Sequence, residues 1–380
     1  MRVLVDLTYI SPADPYSGVA VFSYSMLPAL QKTAPDITLV GLCNDANGQS
    51  MRAHFPWMEM LTLHERNIHA LQNVKPFLNR RALDRLVVSG GIDLFFVPFL
   101  GDRGLFTRRV PTVAVMHDAQ GFVFGPNAAR RLLYKVFTLN AARHVDHLVT
   151  ISEYARQDIL EKVRTLKAPV SVINQSLPLR STAALHSPGT NPPYILSVNT
   201  LVAYKNPLTV LRAYRRIMDS IPHSLYFKGR ETQYSRDILQ PYIDAHGLSG
   251  RVKIISETYS PEQMDTLYRG ASLFVSASSM EGFGLTPLEA AMRGVPVVCA
   301  DIPSVREVTL GLLDYYSPSD DDEALAAKMA AALGGRTADM TAIAARYEEH
   351  YSTGRQAEAY ARLLREMVTG EGGLRQKKRP

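Results

Sequence analysis

The chain alternates short β-branched or apolar runs with amphipathic segments, breaks off, and then starts the same alternation again. The first series has runs at 2–10, 38–43, 92–99, 112–117, 147–151 and 170–175, with amphipathic segments at 18–33, 128–143 and 152–165. A stretch rich in Pro, Ser, Thr and Gly, 177–193, has neither helical nor strand period. The second series follows with runs at 194–199, 223–228, 251–256, 272–277 and 296–300, and helical segments near 206–219, 235–246, 261–269, 286–293 and 319–334. Strands separated by helices pair in parallel and are covered by helices on both faces. The pattern therefore predicts an α/β protein of two doubly wound domains, 1–180 and 194–349, joined by a linker at 181–193. A long helical pattern at 339–369 is interrupted by Gly354; its second part, about 350–369, is expected to return to the first domain, leaving 370–380 as a basic tail.

Composition narrows the function classes. With 380 residues, 46% hydrophobic and 21% charged, the chain has the material for two ordinary cores and is not disordered over most of its length. No apolar run approaches the roughly 20 residues that span a bilayer. The N-terminal run carries Asp6 and reads as a first strand rather than a secretion signal. Two distant cysteines, Cys43 and Cys299, make no zinc site and fit a reduced, cytoplasmic compartment. The net charge of +6 is unevenly spread: 75–143 holds eleven Lys and Arg against four acids, and EGGLRQKKRP at the end adds four against one. Such patches attract phosphate, in nucleic acid or on an anionic membrane face; an ordinary solvated surface explains them equally. No helix-turn-helix or aromatic-interleaved RNA-binding element accompanies the charge, which sets nucleic acid aside.

Four places carry candidate chemistry. In SASSMEGFGLTPLEAAMRGVPVV (276–298) a strand ends, a glycine turn follows and a helix starts near Thr286 and Pro287. Gly282 and Gly284 let backbone N–H groups approach an anion at that helix N-terminus. Glu281 stands in the turn and Glu289 in the first helical turn, where Thr286 as N-cap, Pro287 and Glu289 also form a capping box that accounts for the glutamate by itself. In VNTLVAYKNPLTVLRAY (198–214), Asn206 before Pro207 marks a helix start. Lys205 just ahead of it is either a phosphate ligand or a solvated lysine. In VAVMHDAQ (113–120), His117 ends a strand, either donating a hydrogen bond to a ligand with Asp118 orienting it, or satisfied structurally. Gly18 follows strand one, as a ligand approach or as turn punctuation; the segment lacks G-x-G-x-x-G, which argues against a nicotinamide oxidoreductase.

Taken in order, these segments resemble the retaining glycosyltransferases of family 4 with the GT-B fold, over about 1–365. EGFGLTPLEAAMRGVPVV matches the family's glutamate pair with Glu281 and Glu289. VNTLVAYKN resembles its donor-phosphate segment, MHD its N-domain histidine motif, LVTISEYARQDI its hinge-proximal serine motif, and SGVAVFSYSMLPAL its first-loop glycine segment. The resemblance implies two Rossmann-like domains facing a central cleft. It implies that Glu289 accepts hydrogen bonds from ribose hydroxyls and that Lys205 neutralises the donor diphosphate. Gly282, Phe283, Gly284 and Leu285 hold sugar or phosphate through their amides, and His117 and Glu281 contact the transferred sugar. The resemblance also implies that the anomeric configuration is retained, without a metal or other cofactor.

The sequence departs from the family in places. Asn199, Thr200 and Tyr204 stand where an arginine is common, and Arg230, after strand 223–228, is expected to supply that charge. Ser17, Ala20 and Val21 replace residues common around Gly18, and Ala277 replaces a proline. The combination of YKN and EGFGLTPLEA resembles the branch using GDP-mannose or GDP-deoxyhexoses. A nucleotide-sugar donor and a glycan acceptor, lipid-linked and belonging to a bacterial surface polysaccharide, follow as the expected partners. The basic N-domain and tail would meet an anionic membrane from the cytoplasmic side. A UDP-sugar-dependent transferase, a sugar-nucleotide epimerase and a phosphorylase of the same fold remain the alternatives.

Overall fold

A computed structural model describes residues 1–12, 17–64, 75–101, 105–123, 128–177 and 192–370. The chain divides into two compact units, Met1–Pro178 with Tyr351–Pro380, and Leu179–His350. Most of the 181–193 segment and all of 371–380 lie outside the described residues.

The first unit runs β1 (Arg2–Asp6), α1 (Gly18–Thr33), β2 (Thr38–Asn44), α2 (Gly48–His54), β3 (Glu59–Leu63), α3 (Lys75–Ser89), β4 (Leu94–Val97), β5 (Thr112–Met116), α4 (Ala128–Ala142), β6 (His147–Thr150), α5 (Glu153–Lys162) and β7 (Val170–Val172). Its described strands form a seven-stranded sheet, in the order β3-β2-β1-β4-β5-β6-β7, with parallel pairs throughout. Every residue of β4, β5 and β6 is buried, as a parallel sheet covered on both faces requires. The last helix of the chain, called α13 below, belongs to this unit. Its Tyr360 is buried edge-on to Phe22 and Phe96, Gln356 donates to the Asn174 carbonyl at 3.0 Å, and Arg365 holds Asp36 at 2.6 and 3.0 Å.

The second unit runs β8 (Tyr194–Val198), α6 (Pro207–Ile217), β9 (Ser224–Lys228), α7 (Gln240–Ala245), β10 (Val252–Ile255), α8 (Pro261–Arg269), β11 (Leu273–Ser276), α9 (Leu285–Met292), β12 (Val297–Ala300), α10 (Pro303–Val308), β13 (Asp314–Tyr316), α11 (Asp322–Leu333) and α12 (Met340–His350), after which α13 (Thr353–Thr369) leaves it. Six described strands, in the order β10-β9-β8-β11-β12-β13, again pair in parallel. One cluster including Tyr214, Phe227, Val275, Leu325 and Met329 fills the space between its sheet and helices.

Two doubly wound sheets are thus present, and the differences from the sequence reading are local. The first strand stops at Asp6 instead of continuing to residue 10. Helices α2, α3 and α10 and the edge strands β3 and β13 went unread in the sequence. The long C-terminal pattern breaks at Tyr351 and Ser352, not at Gly354. Ser352 caps α13 by accepting from the Arg355 amide, and Gly354 lies inside its first turn.

Candidate functional site

In the second unit the strand order reverses between β8 and β11. Open parallel sheets bind ligands beyond the carboxyl ends of the strands at such a reversal. Lys205 follows β8 and Glu281 follows β11. Their loops are stitched together by backbone and amide contacts: Asn206 donates from Nδ2 to the Ala277 carbonyl at 3.0 Å, and Ser279 donates to the Tyr204 carbonyl from its amide at 2.9 Å and its hydroxyl at 3.0 Å. Asn206 reaches that carbonyl from a left-handed conformation, φ 48°, and does not use its side chain to cap α6.

The result is an ion pair. Lys205 Nζ lies 2.6 Å from Glu281 Oε2, with the two side chains only 12% and 13% exposed. Lys205 is therefore not a solvated lysine. A sheltered pair is costly to break by removing one partner, because the other charge is left with neither water nor counter-ion. An anion entering here can take over as the partner of Lys205.

The glycine turn delivers the chain into α9. Gly284 has φ 89°, a conformation that favours glycine, and a Cβ on it would press on Val305 Cγ2 at 3.2 Å. Gly282 is buried, as is the side chain of Phe283, while Leu285 is half-buried. Because the helix begins at Leu285, Thr286 and Pro287 are already inside it, and the N-cap is Gly284, which has no side chain to offer. The capping box is not formed. The first N–H groups of α9 accordingly have no partner within the helix.

Glu289 is held by a different set of contacts. Tyr268, from α8, donates its hydroxyl to Glu289 Oε2 at 2.7 Å. Arg293 donates to the Glu289 carbonyl at 2.8 Å and lays its guanidinium 4.9 Å from the centre of the Tyr268 ring. Asp265 fixes that arginine, accepting from Arg293 at 2.8 Å and from Arg269 at 2.6 Å. Burial pushes the Glu289 carboxyl above its usual range, with Arg293 and the Tyr268 hydroxyl opposing the shift. Tyr268 is pushed up by its own burial and by Glu289 beside it.

Beyond β9, a Cβ on Gly229 would sit 1.8 Å from the Asn199 carbonyl oxygen, so only glycine lets these two loops touch. Arg230 follows, exposed. Two buried polar atoms, Asn199 Oδ1 after β8 and Ser278 Oγ after β11, have no hydrogen-bond partner among the described residues.

In the first unit, the strand order reverses between β1 and β4. His117, after β5, is buried there: its Nε2 lies 3.0 Å from the Pro98 carbonyl beyond β4, and Phe22 of α1 meets its ring edge-on at 5.0 Å. Burial pushes His117 down to about 4, although hydrogen bonds to the Pro98 carbonyl and Gln175 oppose the shift, so it is neutral at pH 7. Its orienting groups are Pro98 and Gln175, not Asp118, whose carboxylate accepts from the Gln120 amide. Gly18 is the exposed first residue of α1, one turn from Phe22. Among the described residues no group of three His, Cys, Asp or Glu side chains is placed to hold a metal ion.

Residues 184–349, which include the Lys205–Glu281 pair, the glycine turn and the Glu289 network, match the family model of glycosyl transferases group 1. This unit is a group 1 glycosyl transferase domain. The O-antigen chain mannosyltransferase RfbU of Salmonella typhimurium is 25% identical over 213 residues, 56% of this chain and 58% of the relative. The chain thus spans less than three fifths of the length of the curated relatives it matches. Among solved structures, the sucrose-phosphate synthase of Thermosynechococcus elongatus superposes with a TM-score of 0.75 at 16% identity, over 97% of this chain and 100% of that one. Anabaena HepE in complex with UDP and glucose gives 0.68 at 14%, over 96% and 100%. These likenesses establish the GT-B architecture of two Rossmann-like sheets.

Tyr268, Arg293, Asp265 and Gln175 were not found in the sequence. Nothing local marks them, since each acts through a residue that is distant in the chain or on the next turn of a helix.

Proposed function

We propose that this protein is a retaining hexosyltransferase that moves mannose from GDP-mannose, or a related hexose or deoxyhexose, onto a lipid-linked glycan acceptor in the assembly of a bacterial surface polysaccharide. The observation that carries the reading is the Lys205–Glu281 ion pair at the β8/β11 reversal, beside the glycine turn that opens α9. In this reading the donor diphosphate displaces Glu281 as partner of Lys205, with exposed Arg230 and the amides of Gly282, Phe283, Gly284 and Leu285 adding donors. Glu289, held in place by Tyr268, accepts from the ribose hydroxyls. Glu281, released from Lys205, turns to the transferred sugar.

Bond breaking between the anomeric carbon and the diphosphate puts negative charge on the leaving oxygen. Lys205 and the peptide N–H groups stabilise that charge as it develops, which is the electrostatic contribution such a site makes to the barrier. Neutral His117 donates or accepts a hydrogen bond without adding charge. The reaction is expected to run in the presence of a chelator.

The mannosyltransferase relative favours mannose as the transferred sugar. The structural neighbour with UDP and glucose keeps a UDP-sugar as the second reading. Acceptor and donor are separable by experiment. A melting-temperature screen against GDP, UDP, ADP and dTDP and their sugar conjugates, without added metal, reads the donor: a ligand at 100 times its Kd adds about 2.7 kcal/mol. A shift with guanine nucleotides that Lys205→Ala and Glu289→Ala abolish supports the proposal. A shift with UDP alone moves it to the second reading, and no shift with any nucleotide sinks it.

A further inference from the structure

Helix α4 carries its larger apolar side chains on the outside. Leu132, Leu133 and Val136 are 62%, 42% and 51% exposed, and Ala129 before them is exposed too. The spacing of three and four residues puts all of them on one stripe. The face turned inward is made of small residues, with Thr138, Ala141 and Ala142 buried. Val123, 43% exposed, extends the stripe from the short turn Gln120–Phe122, which packs on α4 through Phe122 against Tyr134. Four of the eight large hydrophobic side chains exposed among the described residues therefore lie in one place. Isolated exposed apolar residues need no explanation, but a contiguous group rimmed by charge marks an interaction surface.

The rim is cationic. A shallow depression beside the stripe is lined by Phe122, Val123 and Leu139 and by Lys135, Lys162 and Arg164, with Glu161 as its one acid. Lys162 is paired with Asp158 of its own helix, while Lys135 and Arg164 are exposed. An apolar ridge with a cationic border fits a surface that offers phosphate above hydrocarbon. It does not suit a two-fold contact with a second copy, which would bring like-charged borders together.

We infer that the α4 face docks the protein on an anionic lipid bilayer, with Leu132, Leu133 and Val136 entering the acyl boundary and Lys135 and Arg164 meeting headgroup phosphates. No helix among the described residues is long and apolar enough to cross a membrane, so this contact lies along the surface. The inference assigns a place to the membrane encounter that a lipid-linked acceptor requires. Its test uses no substrate, so it stands or falls separately from the transferase reading.

The test uses the full chain and vesicles of phosphatidylcholine with or without phosphatidylglycerol. Cys43 and Cys299 are both buried, so Leu132→Cys can be labelled selectively with an environment-sensitive fluorophore. Its emission is expected to shift to the blue and rise several-fold with phosphatidylglycerol vesicles, and to stay unchanged with phosphatidylcholine alone. In co-sedimentation, Leu132→Ser/Leu133→Ser/Val136→Ser is expected to lose at least tenfold in partitioning, and Lys135→Glu/Arg164→Glu to lose binding at low salt. Vesicle binding without any change at position 132 means that another basic surface is used, and overturns the inference. So does a wild-type dimer that the triple variant turns into a monomer, since the stripe is then a contact between copies.

Discussion

Lys205 Nζ and Glu281 Oε2 are 2.6 Å apart, on loops that leave neighbouring strands at the point where the sheet order reverses. The pair neutralises two charges that water does not reach well, beside the Tyr204 ring. It also holds the only lysine on these two loops in place, so that binding of an anion becomes an exchange of partners rather than the capture of a free cation.

That exchange separates two variants. Lys205→Met removes the cation and leaves Glu281 unpaired, so GDP affinity is expected to fall at least tenfold, which is about 1.4 kcal/mol. Glu281→Gln removes the competing anion, so GDP affinity is expected to hold or to tighten while turnover of the sugar nucleotide falls. Calorimetric titration with GDP, alongside turnover, reads both. Equal losses of GDP affinity in the two variants would show that the pair binds as a unit and that no exchange occurs.

Tyr268→Phe keeps the ring beneath Arg293 but removes the hydroxyl that donates to Glu289 at 2.7 Å. That hydroxyl opposes the upward shift of the Glu289 carboxyl, so its loss raises the carboxyl further. A raised acid is ionised only at higher pH. A ligand that needs the carboxylate should therefore bind Tyr268→Phe more weakly than wild type at the acid end of the pH range and recover as the pH rises. The hydrogen bond, having a charged partner, is worth about 1.5–3 kcal/mol, so a lower melting temperature accompanies the change. GDP titrations across pH 6–9 check it, and a parallel loss at every pH would make Tyr268 a packing residue only.

The strands legible in the sequence are those buried on both faces: β4, β5 and β6 are unbroken apolar runs because helices cover them above and below. Edge strands give weaker patterns. In β3 the residues between Glu59 and Leu63 are half-buried, and β13 is Asp314 followed by two tyrosines, so neither alternation nor an apolar run announces them. The site shows the same division. Lys205 and Glu281 are readable as residues that follow strands, but their pairing depends on the order in which the strands assemble. The capping alternative for Glu289 fails through two residues of helix boundary: the left-handed Gly284 is the N-cap and α9 starts at Leu285, which places Thr286 inside it and leaves the glutamate to Tyr268. In α4 the helical period was legible, but the bulkier apolar residues face outward while Thr138, Ala141 and Ala142 are buried.

Three glycine substitutions should differ sharply. Gly229→Ala would put a Cβ 1.8 Å from a backbone oxygen, which cannot swing aside. It is expected to cost more than about 3 kcal/mol. Gly284→Ala adds left-handed strain of about 1–2 kcal/mol and a 3.2 Å contact with the Val305 side chain, which can yield. Gly250→Ala meets nothing within 4 Å, and should be neutral or slightly stabilising. Denaturation of the three proteins gives the order, and a Gly229→Ala protein as stable as Gly250→Ala would mean that the loops after β8 and β9 do not touch.

Burial makes His117 a source of acid sensitivity in the first unit. Its folded value is about 4, against about 6.5 in an unfolded chain. Below pH 6.5 the unfolded state therefore binds a proton that the folded state refuses, and stability falls as the pH is lowered from 6.5 towards 4. At about 1.4 kcal/mol per unit, the full effect is about 3.4 kcal/mol. His147 and His223, also lowered by burial, add to the same trend. His117→Gln, which keeps a donor within reach of the Pro98 carbonyl and carries no titrating group, is expected to be less stable at pH 7.5 but to lose less between pH 6.5 and 4.5. Urea denaturation at pH 7.5, 6.5, 5.5 and 4.5 gives the two slopes. Equal slopes for wild type and variant would place the acid sensitivity elsewhere and leave His117 as a group that titrates like a free histidine.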